Sequence, residues 1–280
     1  VTGGTLVTKH LSSTLITTGD CVKFIIDRHD SEGGRTQGVV FEIEPRQTKL
    51  SRIDPSNSNR AHVIAANIDN LIVYMSAFDP EIKPGLIDRL IISAQLGKVN
   101  PIICINKMDL ADLSQFKDYF DLYEDLGIPI HYISAREQTG TAELLEQIIG
   151  KETVVIGQSG AGKSTFLNLA VGEDYQRVAV VSDSSGKGKH TTTFARRFAL
   201  PHGGHLIDTP GIREFGIWDL HQDELALFFP DFKEYYLDCK FLPCTHTHEP
   251  HCAVKAAVDA GKILSERYNS YLSIMDSLEE

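Results

Sequence analysis

The sequence predicts an α/β fold with a small β-barrel before it and a helical unit after it. Short β-branched runs separated by turn residues fill residues 1–60, a pattern typical of a small barrel such as an OB-fold. Apolar strands alternate with helical stripes over residues 61–220, which predicts a doubly wound parallel sheet. Residues 221–280 have helical periodicity, interrupted by cysteines and histidines. We therefore expect three domains, with boundaries near residues 60 and 220.

The composition is that of an ordinary globular protein. Of its 280 residues, 42% are hydrophobic and 23% are charged, and the formal net charge is −11. This negative charge argues against a protein that coats nucleic acid non-specifically. Residues 1–60 carry eight basic and seven acidic side chains, whereas residues 221–280 carry five and eleven. If RNA is a partner, the first sixty residues are the better candidate. No apolar run is long enough to span a bilayer, so we expect a cytoplasmic protein without a membrane partner.

Four short strands are predicted before residue 60, at residues 5–8, 13–17, 22–26 and 38–43. The polar stretch at residues 45–62 contains two prolines and is predicted to be a linker. A small β-domain with only a packing role is the alternative to an OB-fold. This alternative stays open because only Phe24 and Phe41 offer aromatic rings on which bases could stack.

The strand–helix alternation begins at residues 68–75, a continuous apolar run suited to a strand covered on both faces. Further strands are predicted at residues 101–105, 129–133, 154–157, 191–200 and 205–207. Helices are predicted at residues 84–96, 116–126, 141–149, 224–229, 232–237 and 253–275.

A glycine-rich loop follows the apolar strand that ends near residue 157, and a helix-compatible segment comes after it. The loop consists of Gly157, Gln158, Ser159, Gly160, Ala161, Gly162, Lys163, Ser164 and Thr165. Backbone N–H groups of such a loop converge on phosphate oxygens. Lys163 can reach the β- and γ-phosphates, and the Ser164 hydroxyl is placed to bind Mg²⁺. The strand and helix are the context that the motif requires, so the loop predicts binding of a nucleoside triphosphate without naming the base.

An Asn-Lys-x-Asp motif follows the strand at residues 101–105 and consists of Asn106, Lys107, Met108 and Asp109. The Asp109 carboxylate can accept two hydrogen bonds from guanine N1 and N2, which adenine does not offer in that arrangement. Asn106 would support the base site, and the Lys107 stem would cover the ring face. Ser134 and Ala135, at the end of the next strand, fit a third guanine-contacting element whose backbone N–H meets guanine O6. Together with the phosphate loop, the motif predicts a guanine nucleotide.

Asp208-Thr-Pro-Gly211 follows another apolar strand. Its Asp208 is placed to hold the Mg²⁺ hydration shell, and the Gly211 N–H can meet the γ-phosphate. The alternative is a Pro-Gly turn with a solvated aspartate.

The base motif precedes the phosphate loop, which is the reverse of the usual order. We therefore predict a circularly permuted Ras-like P-loop domain, which is allowed because the ends of compact domains tend to lie close together.

With these motifs in this order, the sequence resembles the RsgA (YjeQ) family of small-ribosomal-subunit biogenesis GTPases over nearly the whole chain. The resemblance implies Mg²⁺-dependent hydrolysis of GTP to GDP and phosphate. It also implies stimulation by the small ribosomal subunit, action late in the maturation of that subunit and contacts to its rRNA. The expected partners are therefore GTP or GDP and the small subunit, and we expect a monomer.

A cysteine–histidine cluster interrupts the helical unit and contains Cys239, Cys244, His246 and Cys252. Three thiolates and one imidazole complete a tetrahedral Zn²⁺ without an open position, so we expect one structural Zn²⁺ per chain in a reducing compartment. His248 and His251 lie nearby and could compete as the nitrogen ligand. The family order of Cys, Cys, His, Cys favours His246, although the family usually has glycine where this chain has His251. The alternative is scattered buried cysteines with surface histidines.

Residues 186–193 resemble the first switch of the family, and we expect Thr192 to bind Mg²⁺ in the triphosphate state. Ras-like enzymes orient the attacking water with a glutamine after Asp-x-x-Gly, but this chain has Ile212 there, and an aliphatic group cannot orient water. His190 is the candidate for that role, and the resemblance indicates the same residue. A solvated loop histidine is the alternative. The expected catalytic residues are Lys163 and His190.

Functions from other classes of protein are also considered. An ATP-using phosphotransferase is disfavoured by Asn-Lys-x-Asp, and a zinc finger that reads nucleic acid is disfavoured by the acidic residues 221–280. A nucleotide-gated binding factor, in which hydrolysis is incidental, is the main alternative. The predicted second switch, residues 208–216, lies directly before the helical unit. We therefore expect the difference between the GDP and GTP states to be transmitted to the helical unit through this junction.

Overall fold

The structure is a computed structural model that describes residues 16–27, 37–54, 56–172, 195–209 and 215–278. The predicted strand at residues 5–8 and most of the one at residues 13–17 lie outside these ranges. His190, Thr192 and Gly211 also lie outside them.

Two antiparallel hairpins precede the central sheet. Strand β1 (Val22–Asp27) pairs with β2 (Gln37–Ile43), and β3 (Lys49–Asp54) pairs with β4 (Asn57–Ala66). The strands predicted at residues 22–26 and 38–43 are thus confirmed. The two hairpins are separate sheets within the described residues, so the barrel remains a prediction.

The predicted linker at residues 45–62 is wrong, because most of it forms the hairpin of β3 and β4. Leu50 and Ala65 of this hairpin are fully buried in the same core as the central sheet. The polar Asn57-Ser58-Asn59 run suggests a linker, but it is only the first part of β4, which continues without interruption to Ala66. The buried part of the strand lies beyond this polar run.

A six-stranded sheet forms the centre of the molecule. Its strands are β5 (Asn70–Ser76), β6 (Asn100–Asn106), β7 (Ile130–Tyr132), β8 (Glu152–Gly157), β9 (Arg196–Ala199) and β10 (His205–Asp208). Their order is β7-β6-β5-β8-β10-β9. The predicted parallel arrangement is confirmed for five strands, and β9 runs antiparallel to β10. The turn between β9 and β10 is too short for a parallel crossover, which needs a dozen or more residues.

Helices cover both faces of this sheet. They are α1 (Pro84–Leu96), α2 (Lys117–Asp125), α3 (Thr141–Ile148) and α4 (Lys163–Val171). Alternate residues of β5 enter different cores, because successive side chains of a strand point to opposite faces. Val73 packs with α1 and α2, whereas Tyr74 packs with α3 and α4. The doubly wound arrangement predicted from the sequence is therefore confirmed.

The C-terminal unit consists of short 3₁₀ segments and two helices, α5 (Ala253–Asp259) and α6 (Ser265–Ser277). The single helix predicted at residues 253–275 is wrong. The chain turns between α5 and α6, where Gly261 has a φ of +69° that glycine adopts without steric cost. Helix α6 packs against α1 of the central domain. Within the described residues, no helix is long and apolar enough to cross a membrane.

Candidate functional site

The phosphate loop leaves the centre of the sheet at the end of β8. A Cβ on Gly157 would lie 1.7 Å from the carbonyl oxygen of Tyr74 on β5, so only glycine fits there. Gly162 has a φ of +91°, and its Cβ would lie 2.5 Å from the Asn106 side-chain nitrogen. These two glycines let the loop lie directly against the neighbouring strand and the base motif.

Lys163 begins α4 and bends back over the phosphate loop. Its Nζ donates to the carbonyl oxygens of Gly157 at 2.8 Å and Gln158 at 2.9 Å. Burial lowers the pKa of Lys163, and the negative charge of Asp208 partly opposes that shift. Ser164 and Thr165 follow in the first turn of α4 and are exposed. The amine and the Ser164 hydroxyl are thus at the place where a phosphate would meet the helix N-terminus.

Asn106 links the three predicted nucleotide-binding elements. Its side-chain nitrogen donates to the carbonyl oxygen of Ala161 in the phosphate loop at 2.9 Å. Its side-chain oxygen accepts from the backbone N–H of Ala135 at 2.9 Å. Asn106 is only 3% exposed, so these bonds form in a dry environment where they are strong. The phosphate loop and the base motif are therefore held as one site.

The other residues of the base motif are arranged around Asn106. Lys107 has a φ of +67°, and its ammonium donates to the carbonyl oxygen of Asp79. The Met108 N–H donates to Ile133 at the end of β7. Asp109 is exposed. Its carboxylate is therefore accessible to a base, as the guanine prediction requires.

Ser134 and Ala135 are both buried and lie next to Asn106. The Ser134 N–H donates to Thr139 O, and the Ala135 N–H donates to Asn106. Both backbone N–H groups are thus hydrogen-bonded within the protein, and the contact of this pair with guanine O6 stays a prediction. The Ala135 N–H supports Asn106 in its position.

Asp208 ends β10, beside the strand that carries the phosphate loop. It lies opposite Val155 in the parallel register of β10 and β8. The next residue, Thr209, is buried, and its hydroxyl donates to Val155 O at 3.0 Å. Carboxylate and hydroxyl oxygens are ligands that Mg²⁺ accepts in proteins. The donor types of Asp208 and Ser164 therefore fit Mg²⁺.

The four predicted zinc ligands lie together in the C-terminal unit. The ligand atoms of Cys239, Cys244, His246 and Cys252 all lie within 4.8 Å of one another. The His246 Nδ1 atom is 3.6 Å from the Cys239 sulfur and 3.4 Å from the Cys252 sulfur. Three sulfurs and one imidazole nitrogen fit Zn²⁺ in a closed structural site.

The chain segment that carries His246 is held by helix α6. The Tyr268 hydroxyl donates to His246 O at 2.7 Å, and the Tyr271 hydroxyl donates to Thr245 O at 2.6 Å. Burial would raise the pKa of Glu249, but hydrogen bonds from Thr245 and Thr247 lower it to about 2. Packing and hydrogen bonds thus position the cluster, as is typical around structural metals.

Comparison with known proteins identifies the family. Residues 43–218 match the model of the RsgA GTPase family. The chain belongs to the RsgA GTPase family and is a GTP hydrolase. The small ribosomal subunit biogenesis GTPase RsgA of Chlorobaculum tepidum is 40% identical over 278 residues, covering 98% of this chain and 89% of that protein. The protein of the same name from Pectobacterium carotovorum is 38% identical over 257 residues, covering 90% and 72%.

Solved structures agree with this assignment. YjeQ from Thermotoga maritima matches 94% of this chain and 84% of its own, with a TM-score of 0.66 and 30% identity. YloQ, described as a circularly permuted GTPase, matches 97% of this chain and 84% of its own, with a TM-score of 0.64 and 27% identity. The family resemblance drawn from the motifs is thus confirmed.

Sequence reasoning missed one part of this RsgA site, the loop at residues 77–83. The Gln158 side-chain nitrogen donates to Glu81 O at 3.0 Å, and Lys107 donates to Asp79 O. Both acceptors are backbone carbonyls, which every residue has. No sequence signal could therefore have marked this loop.

If Zn²⁺ fills the cysteine–histidine cluster, its removal should unfold the C-terminal unit. We expect Cys252→Ser to lose zinc and to lower the melting temperature, because apparent zinc binding energies of about 10–16 kcal/mol contribute directly to folding in small zinc units. Metal content and thermal unfolding measure the effect. Cys21→Ser is the matched control, because Cys21 is exposed and outside the cluster. Unchanged zinc content in Cys252→Ser would contradict the assignment.

Proposed function

We propose that this GTPase acts on the small ribosomal subunit late in its maturation and that the subunit stimulates its turnover. The observation that carries the enzymatic part is the pair of Asn106 hydrogen bonds, which join the phosphate loop to the guanine motif. The ribosomal part is supported by the relatives, which are named small ribosomal subunit biogenesis GTPases.

Catalysis in this proposal is positioning and electrostatics. The loop amides and Lys163 would hold the β- and γ-phosphates, and Ser164, Asp208 and Thr192 would hold Mg²⁺. When bound, Mg²⁺ supplies positive charge to the phosphate oxygens. His190 orients the attacking water. Gly211 contributes its N–H to the γ-phosphate.

The first sixty residues are proposed to form an OB-like barrel that contacts rRNA. Phe24 is 56% exposed and Phe41 is 50% exposed on the hairpin of β1 and β2. Exposed aromatic rings can stack on unpaired bases. This segment also has a net positive charge, unlike residues 221–280. We place the protein in the cytoplasm, since the thiol cluster suits a reducing compartment. We also propose that it is a monomer.

The test is GTP hydrolysis measured with and without purified small subunits. We expect subunits to raise turnover by about tenfold or more, because stimulation in trans of related GTPases reaches far larger factors. ATP should not compete. Lys163→Ala should abolish turnover in both conditions. If small subunits do not change the rate of GTP hydrolysis, the ribosomal role is contradicted but the GTPase activity is not.

The alternative is a nucleotide-gated ribosome-binding factor in which hydrolysis is incidental. It predicts that a His190→Ala protein without turnover still supports subunit assembly. Failure of assembly with this variant, despite normal GTP binding, favours hydrolysis as the essential step.

A further inference from the structure

The loop at residues 77–83 contacts both halves of the nucleotide site. Lys107 of the base motif donates to Asp79 O, and Gln158 of the phosphate loop donates to Glu81 O at 3.0 Å. Gln158 is buried, so this bond is shielded from water. The 77–83 loop is therefore fastened to the two segments that hold the base and the phosphates.

This loop continues directly into α1, whose first turn is fixed by a buried polar network. The Tyr119 hydroxyl lies 3.1 Å from Pro84 O and 3.0 Å from the Asp88 carboxylate. Arg267 of α6 donates to the same carboxylate and, at 2.9 Å, to Asp231. Asp88 is 1% exposed and Arg267 is 3% exposed. The network thus joins the first turn of α1 to the C-terminal unit.

The distance along this connection is short. Pro84 and Asp88 are four residues apart, which is about one helical turn or 6 Å of helix. Helix α6, which carries Arg267, also holds the zinc cluster through Tyr268 and Tyr271. Each step is a direct hydrogen bond, a helical turn or the three-residue run of chain from Glu81 to Pro84. A buried ion pair is costly to break.

We propose that the 77–83 loop and the first turn of α1 couple nucleotide binding to the C-terminal unit. Gln158 and Tyr119 are the positioning residues at the two ends of this connection. The route is separate from the one expected through residues 208–216. Because coupling between two sites is reciprocal, nucleotide binding stabilises helix α6, and loosening of the network weakens nucleotide binding.

The test is amide hydrogen exchange in α6 with and without saturating GDP. In the unaltered protein, GDP slows exchange of α6 amides by about fivefold or more, the lower end of typical allosteric coupling. The slowing disappears in Gln158→Leu and in Tyr119→Phe. It persists in two matched controls that lie outside the connection, Gln147→Leu and Tyr132→Phe.

The outcomes separate this inference from the function on which it rests, nucleotide binding by the phosphate loop. Failure of the unaltered protein to bind GDP overturns both. GDP binding without any change in α6 overturns the coupling alone. GDP-dependent slowing that persists in both Gln158→Leu and Tyr119→Phe overturns this route. Loss of the slowing in both variants but not in the controls supports it.

Discussion

Asp109→Asn is expected to weaken GDP binding by a hundredfold or more and to shift the base preference from guanine to xanthine. The Asp109 carboxylate accepts two hydrogen bonds from guanine, and bonds to charged groups contribute about 1.5–3 kcal/mol each. An asparagine amide still accepts from N1–H, but its NH₂ group faces the guanine amine, which is also a donor. Xanthine has a carbonyl oxygen where guanine has this amine, so the asparagine NH₂ group can donate to it and the second hydrogen bond is restored. Titration with fluorescent GDP and XDP measures the shift.

The control for this substitution is Asp112→Asn, three residues further along the chain. Asp112 is exposed like Asp109, and its carboxylate accepts from the nearby Ser114 N–H at 2.9 Å. We expect both nucleotide affinities to be unchanged in this variant. Equal GDP affinity in Asp109→Asn and the unaltered protein would remove Asp109 from the base site.

Asp88→Ala is expected to lower the free energy of unfolding by about 3–5 kcal/mol, the usual cost of removing one partner from a buried ion-pair network. Burial would lower the pKa of Arg267, but the charges of Asp88 and Asp231 raise it well above its usual value. The guanidinium therefore stays charged and buried, with its centre 4.4 Å from the centroid of the Phe229 ring. Urea-induced unfolding measures the loss.

Asp121→Ala is the matched control, because it removes the partner of an exposed ion pair on α2. Lys117 and Asp121 are an i,i+4 pair whose side chains are largely accessible, and such pairs contribute less than about 1 kcal/mol. A loss in Asp88→Ala no greater than that in Asp121→Ala would show that the buried network does not stabilise the junction between the central domain and the C-terminal unit.

Most helices and strands of the central domain could be predicted, because the spacing of apolar residues that indicates each of them lies within the segment itself. The helix predicted at residues 84–96 coincides with α1. Predictions failed where distant packing decides the structure. The stretch at residues 45–62 is polar and contains prolines, yet it forms a hairpin that buries Leu50 and Ala65 against the central sheet. The break between α5 and α6 was missed because a single glycine did not interrupt the helical pattern.

The sequence by itself determined the family, the permuted order and the residues predicted to bind guanine, phosphate and zinc. These motifs can be recognised because each is a short run of side chains with a particular chemistry. Only the tertiary structure decided how the motifs are held together. Asn106 and Ala161 are 55 residues apart, and Asp88 and Arg267 are 179 apart. Such contacts depend on backbone carbonyls and on the packing of whole helices, so no local pattern in the chain encodes them.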